Sequence, residues 1–66
     1  MNILVNGERV VCGAARTVAE LVQDRQLSLE TTLVEHNGTA LHRREWPERR
    51  LEENDRVELL RVAAGG

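Results

Sequence analysis

The spacing of apolar positions changes along the chain, and each change marks an element. "NILV" (Asn2–Val5) is a short apolar run, and "ERVVC" (Glu8–Cys12) is rich in β-branched residues. Asn6-Gly7 stands between them. A type I′ turn needs positive φ at both central residues, which Asn-Gly tolerates best, so the pattern predicts an N-terminal hairpin. "GAAR" then breaks the strand period. Thr17 precedes Glu20 by three residues, the spacing of a capping box. Val18, Leu21 and Val22 follow at i, i+3 and i+4, a single helical stripe. The spacing predicts a short helix from about Val18 to Arg25, with its stripe against a sheet.

"TTLVEHNGTAL" repeats the hairpin pattern, with Asn37-Gly38 as its turn. "RREWPE" is polar apart from Trp46, and Pro47 bars a central strand there, so one helical turn around Arg43–Trp46 is expected with Trp46 packed inward. "EEND" reads as a turn and "RVELLRV" as the last strand. The order is β-β-α-β-β-turn-β. With one substantial helix, only one face of the sheet can be covered. The fold class that follows is α+β, a β-grasp roll: a mixed sheet of about five strands with one main helix across one face.

Alternation then sorts the last strand. Val57 and Leu59 share one face and suit the core. Glu58, Leu60 and Val62 share the other, which is open. Apolar residues grouped on an open face suggest a docking surface, so Leu60 and Val62 are the expected partner-binding residues.

Composition narrows the function. A chain of 66 residues is a single small domain, which buries only about 60% of its unfolded surface and has no room for a deep catalytic cleft. The formal net charge is -2, and the arginines are interspersed with acids. Trp46 is the only aromatic residue, so there is neither a basic stripe nor a stacking platform for nucleic acid. No apolar stretch approaches the ~20 residues that span a bilayer, and with no charged start leading into a long apolar run no secretory signal is expected. One cysteine cannot form an internal disulfide, which suits a reducing compartment. The expectation is a soluble cytoplasmic protein.

Candidate chemistry is sparse. Cys12, His36 and His42 are the soft ligands or nucleophiles, and no metal-ligand spacing joins them. Cys12 reads as a small buried hydrophobe. His36 beside a turn reads as a surface residue at a strand end. Gly7, Gly13 and Gly38 stand alone and form no phosphate loop, so no bound nucleotide, metal or other cofactor is expected. Glu52 and Glu53 read as a solvated turn.

There remains the ending "RVAAGG". Residues 1–62 form the expected domain and residues 63–66 an expected flexible tail. Extended, those four residues would reach roughly 13 Å. Small side chains, then none, would let Gly65 and Gly66 enter a narrow channel in a partner. The Gly66 carboxylate would be the reactive group, once activated by adenylation. On this reading the domain is a carrier and has no catalytic residues of its own.

Taken together, "ILVNG", "TVAELV", "VEHNG", "RREW" and "NDRVELLRVAAGG" resemble the ThiS family over the whole chain. These are sulfur carriers of bacterial thiamin biosynthesis with a ubiquitin-like β-grasp fold. The resemblance implies that an adenylyltransferase related to ubiquitin-activating enzymes adenylates Gly66 with Mg-ATP. A cysteine desulfurase or another persulfide donor would supply sulfur, and the Gly66 thiocarboxylate would deliver it to thiazole synthase. Related carriers with the same tail serve molybdopterin or other sulfur-containing products, and ubiquitin-like modifiers use the same tail to form isopeptide bonds. Two positions depart from the family pattern. Asn54 stands where Gly is usual, and Asn is the next best residue for a left-handed turn. His42 stands where a proline is often found.

Overall fold

The computed structural model describes residues 1–62. Residues 63–66, the expected tail, lie outside the described residues, and so do Gly65 and Gly66.

Two Asn-Gly turns build two hairpins. Strands β1 (Asn2–Val5) and β2 (Glu8–Val11) pair antiparallel around Asn6 at φ 51° and Gly7 at φ 82°. Strands β3 (Thr32–His36) and β4 (Thr39–Leu41) pair antiparallel around Asn37 at φ 50° and Gly38 at φ 86°. Both turns place two consecutive residues in the left-handed region, as the dipeptide predicts. The last strand, β5 (Arg56–Arg61), runs between the two hairpins, parallel to β1 and antiparallel to β3. The sheet order is β2-β1-β5-β3-β4, so β5 is its centre.

Helix α1 spans Val18–Asp24 and begins with the capping box. Glu20 N–H donates to Thr17 Oγ1 and Thr17 N–H donates to Glu20 Oε1, each at 3.2 Å. The helix closes without glycine. Gln26 takes φ 57° and donates to Gln23 O at 2.9 Å, while Leu27 N–H donates to Val22 O at 3.3 Å. These two bonds form a Schellman closure, with glutamine where glycine is usual. A 3-10 helix follows β4 at Arg43–Glu48, and Trp46 is buried beneath it.

The core gathers Ile3 and Val5 from β1, Val34 from β3, and Val57 and Leu59 from β5 beneath Val18, Leu21 and Val22 of the helix. Ile3, Val5, Val18, Val22 and Val57 are fully buried. Burying such a side chain contributes about 1.5–3 kcal/mol, and a domain of this size has few of them. The expected β-grasp roll is therefore present, with the helix on one face and the other face bare.

His36 corrects the reading of it as a surface residue. It is only 6% exposed. Its place in β3 puts it on the same face as Thr32 and Val34, both buried. Its Nε2 lies 2.7 Å from Asp55 Oδ2. Proximity to a turn favours exposure, but strand alternation placed this ring in the interior, where Asp55 meets it.

Candidate functional site

The site is the open face of the sheet and the end of β5. Side chains alternate along β5: Val57 and Leu59 are buried, while Arg56, Glu58 and Leu60 are exposed. On the neighbouring strand, Leu33 lies directly opposite Leu60 and Glu35 opposite Glu58. Leu33 is 52% exposed and Leu60 51%. Val62, at 40%, continues the same face one step beyond the strand. The strand itself stops at Arg61, but Val62 N–H still donates to Thr31 O at 2.8 Å. Leu33, Leu60 and Val62 thus form an apolar patch beside the last described residues. Glu35 and Glu58 border it, like charges facing each other at a separation that disfavours the pair.

Side chains from both hairpin turns hold β5. At its start, Asn37 Oδ1 accepts from Arg56 N–H at 2.8 Å, and Asn37 Nδ2 donates to Asp55 Oδ1 at 3.0 Å. Toward its end, Asn6 Oδ1 accepts from Leu59 N–H at 2.7 Å, and Asn6 Nδ2 donates to Leu59 O at 3.2 Å. Neither clamp is legible in the sequence, where Asn6 and Leu59 stand far apart and both asparagines look spent on their turns.

Asp55 is the most heavily bonded carboxylate near the site. It accepts from His36, from Asn37 and from Glu52 N–H, the last at 2.8 Å. Burial alone would raise its pKa, but the bonds from Asn37, His36 and the Glu52 backbone outweigh burial and hold it below the usual carboxylate range. A carboxylate only accepts, so His36 must carry its proton on Nε2. The opposite ring atom, Nδ1, is buried with no hydrogen-bond partner among the described residues.

The remaining candidates are dispersed. Cys12 is buried in the core, as read from the sequence, and burial pushes its thiol pKa up, against nucleophilic use. His42 is exposed at the start of the 3-10 helix. Among the described residues no group of three or more His, Cys, Asp or Glu side chains could hold a metal ion, and no helix is long and apolar enough to cross a membrane. Glu53 accepts from the Asn2 backbone at 3.0 Å and from its side chain at 3.2 Å, which lowers its pKa and ties the last turn to β1.

Comparison with known proteins agrees with this fold. The model of the ThiS family matches residues 3–66. The crystal structure of a thiamine biosynthesis protein, ThiS, from Geobacter metallireducens superposes with a TM-score of 0.82 at 32% identity, covering 100% of both chains. The solution structure of a thiamine biosynthesis protein from Geobacter metallireducens gives 0.80 at 32% identity, covering 100% of this chain and 88% of that one. No curated protein matches the chain.

Proposed function

The chain belongs to the ThiS family, and from that premise we propose that it is a sulfur carrier for thiamin biosynthesis. It is not an enzyme but a co-substrate that works in the cytoplasm. The observation that supports this reading is the match of the ThiS family model to residues 3–66, a span that includes Gly65 and Gly66.

In the proposed cycle, an adenylyltransferase related to ubiquitin-activating enzymes joins the Gly66 carboxylate to AMP, using Mg-ATP. The acyl adenylate is the activated form that a weak acyl donor needs. A persulfide made by a cysteine desulfurase attacks the acyl carbon through its terminal sulfur and expels AMP. A second thiol then cleaves the S–S bond of the acyl disulfide, leaving as a disulfide with the donor cysteine. The resulting Gly66 thiocarboxylate donates its sulfur to the thiazole formed by thiazole synthase. Gly65 and Gly66 carry no side chain, so they pass the narrow entrances of these partners. Leu60 and Val62, with Leu33 opposite, give the partners an apolar surface beside the point where the reactive segment begins.

Intact-mass measurement tests the reading. The protein is incubated with the adenylyltransferase, Mg-ATP, a desulfurase charged with cysteine, and a thiol reductant that cleaves the acyl disulfide. A mass gain matching exchange of one oxygen for sulfur, absent when Gly66 is deleted, is the expected result. An unchanged mass with all components active would overturn it. Transfer of that sulfur to thiazole synthase, rather than to a molybdopterin-forming enzyme, identifies the product.

A further inference from the structure

The ladder between β1 and β5 is short. Its pairs are Leu4 with Arg56 and Val5 with Val57, and β1 then ends. Asn6 N–H adds a bond to Val57 O at 2.9 Å before the chain turns away at φ 51°. From Leu59 onward, this side of β5 faces no strand among the described residues. It borders a notch lined by Asn6, Arg25, Leu27 and Thr32. The Asn6 side chain fills the missing rung. Its carboxamide meets Leu59 as a peptide unit would, accepting from the N–H at 2.7 Å and donating to the carbonyl at 3.2 Å.

We propose that Asn6 is a positioning residue for the carrier's reactions: through Leu59 it fixes the direction in which the chain leaves the sheet, and it touches no reacting atom. The proposal rests on the carrier reading. Leu59 is followed by Leu60 of the docking patch and then by Arg61 and Val62. β3 holds the other side of this segment through Leu33 opposite Leu60 and Thr32 opposite Arg61. With one side held by β3 alone, the strand end could swing about that ladder; a two-point grip at Leu59 blocks the swing. Geometry at this point sets where Arg61 and Val62 stand against a docked partner, and a misplacement of about 1 Å far from the chemistry can cost up to ~100-fold in rate. Asn37 supplies the control. It has the same turn, a nearly identical φ and a similar grip on β5, but it holds the start of the strand.

The test uses Asn6→Asp, Asn6→Ala and Asn37→Ala in the full chain. Asp keeps the size and the acceptor for Leu59 N–H but cannot donate to Leu59 O. Steady-state adenylation is followed by pyrophosphate release at a temperature well below each variant's Tm, and backbone 15N relaxation is measured at Val62. For the Asn6 variants the expected result is a kcat about tenfold lower, with KM for the carrier within about twofold, and a lower order parameter at Val62. Asn37→Ala, matched in Tm loss, should keep kcat and the Val62 order parameter. Equal kcat in all variants would overturn the proposal, and so would an equal loss in Asn37→Ala. Should Asn6→Ala fail to fold, the Asn6→Asp comparison decides alone. Failure of the carrier reading itself looks different: the wild-type chain then gains no sulfur in the intact-mass measurement, and the Val62 relaxation still reports whether Asn6 holds the strand end.

Discussion

His36 donates from Nε2 to Asp55 Oδ2 across 2.7 Å, and this bond joins the end of β3 to the turn that begins β5. The two residues are buried together where the second hairpin meets the central strand. Asp55 also takes two further bonds, so one carboxylate organises the whole corner. Asp55→Ala is expected to cost about 2–4 kcal/mol, because it leaves a buried imidazole with neither nitrogen bonded and frees the Glu52 N–H. Urea unfolding measures this. A loss below half a kilocalorie would mean that water replaces the carboxylate without penalty.

Acid should reveal the same residue. The hydrogen bonds hold the folded-state pKa of Asp55 below its ordinary value despite burial. A group with a depressed folded pKa adds stability above its unfolded pKa, about 4, and that stability is lost as pH falls through the lower folded value. The urea midpoint is therefore expected to hold steady from neutral pH to about 5 and to drop below 4. Glu53 is shifted in the same direction and shares the drop. In Asp55→Ala the drop should be shallower. Parallel curves for the two proteins would show that Asp55 is not the group responsible.

The end of α1 offers a stabilising change. Gln26 holds a left-handed conformation at φ 57° to close the helix. A side chain there costs about 1 kcal/mol that glycine avoids, although glycine loses more entropy on folding. Gln26→Gly should raise stability by about 0.5–1 kcal/mol and leave the Leu27 N–H bond to Val22 O in place. Thermal unfolding checks the sign. A lower Tm would mean that the Gln26 side chain makes contacts worth more than the strain.

These residues also show why part of the molecule was legible and part was not. The hairpins, the capped helix and the inward Trp46 follow from neighbours within a few residues, and each stood where its signal pointed. The alternation of β5 was equally local, so the exposure of Leu60 and Val62 could be read directly. His36 was misread because its partner is 19 positions away. Its apolar neighbours in β3 were a usable signal, since alternation puts His36 on the face of Val34. The Asn6 grip on Leu59 spans 53 positions and depends on β1 running parallel to β5, which no short stretch records. The close of α1 was legible only approximately, because neither Gly nor Asn marks it. Gly65 and Gly66, the proposed reactive end, stand on sequence and family alone.

The two leucines at the centre of β5 separate folding from docking. Leu59 is buried in the core and gripped by Asn6, whereas its neighbour Leu60 points the other way and is half exposed. Leu59→Ala removes buried volume that its neighbours cannot refill, so it should cost about 2–4 kcal/mol. Leu60→Glu loses only the exposed contact with Leu33 and adds a carboxylate near Glu58 and Glu35, which should cost about 1 kcal/mol or less. Its effect should fall on association instead. A charge placed in an apolar patch must be desolvated to dock, and truncating or charging a central interface residue commonly costs 2 kcal/mol or more, about 30-fold in Kd. Titration calorimetry against the adenylyltransferase, beside urea unfolding of both variants, measures the pair. The expected pattern is a stable Leu60→Glu that binds weakly and a destabilised Leu59→Ala that binds normally once folded. If Leu60→Glu binds as tightly as the wild type, the partner contacts another surface and the open face of β5 is not the docking site.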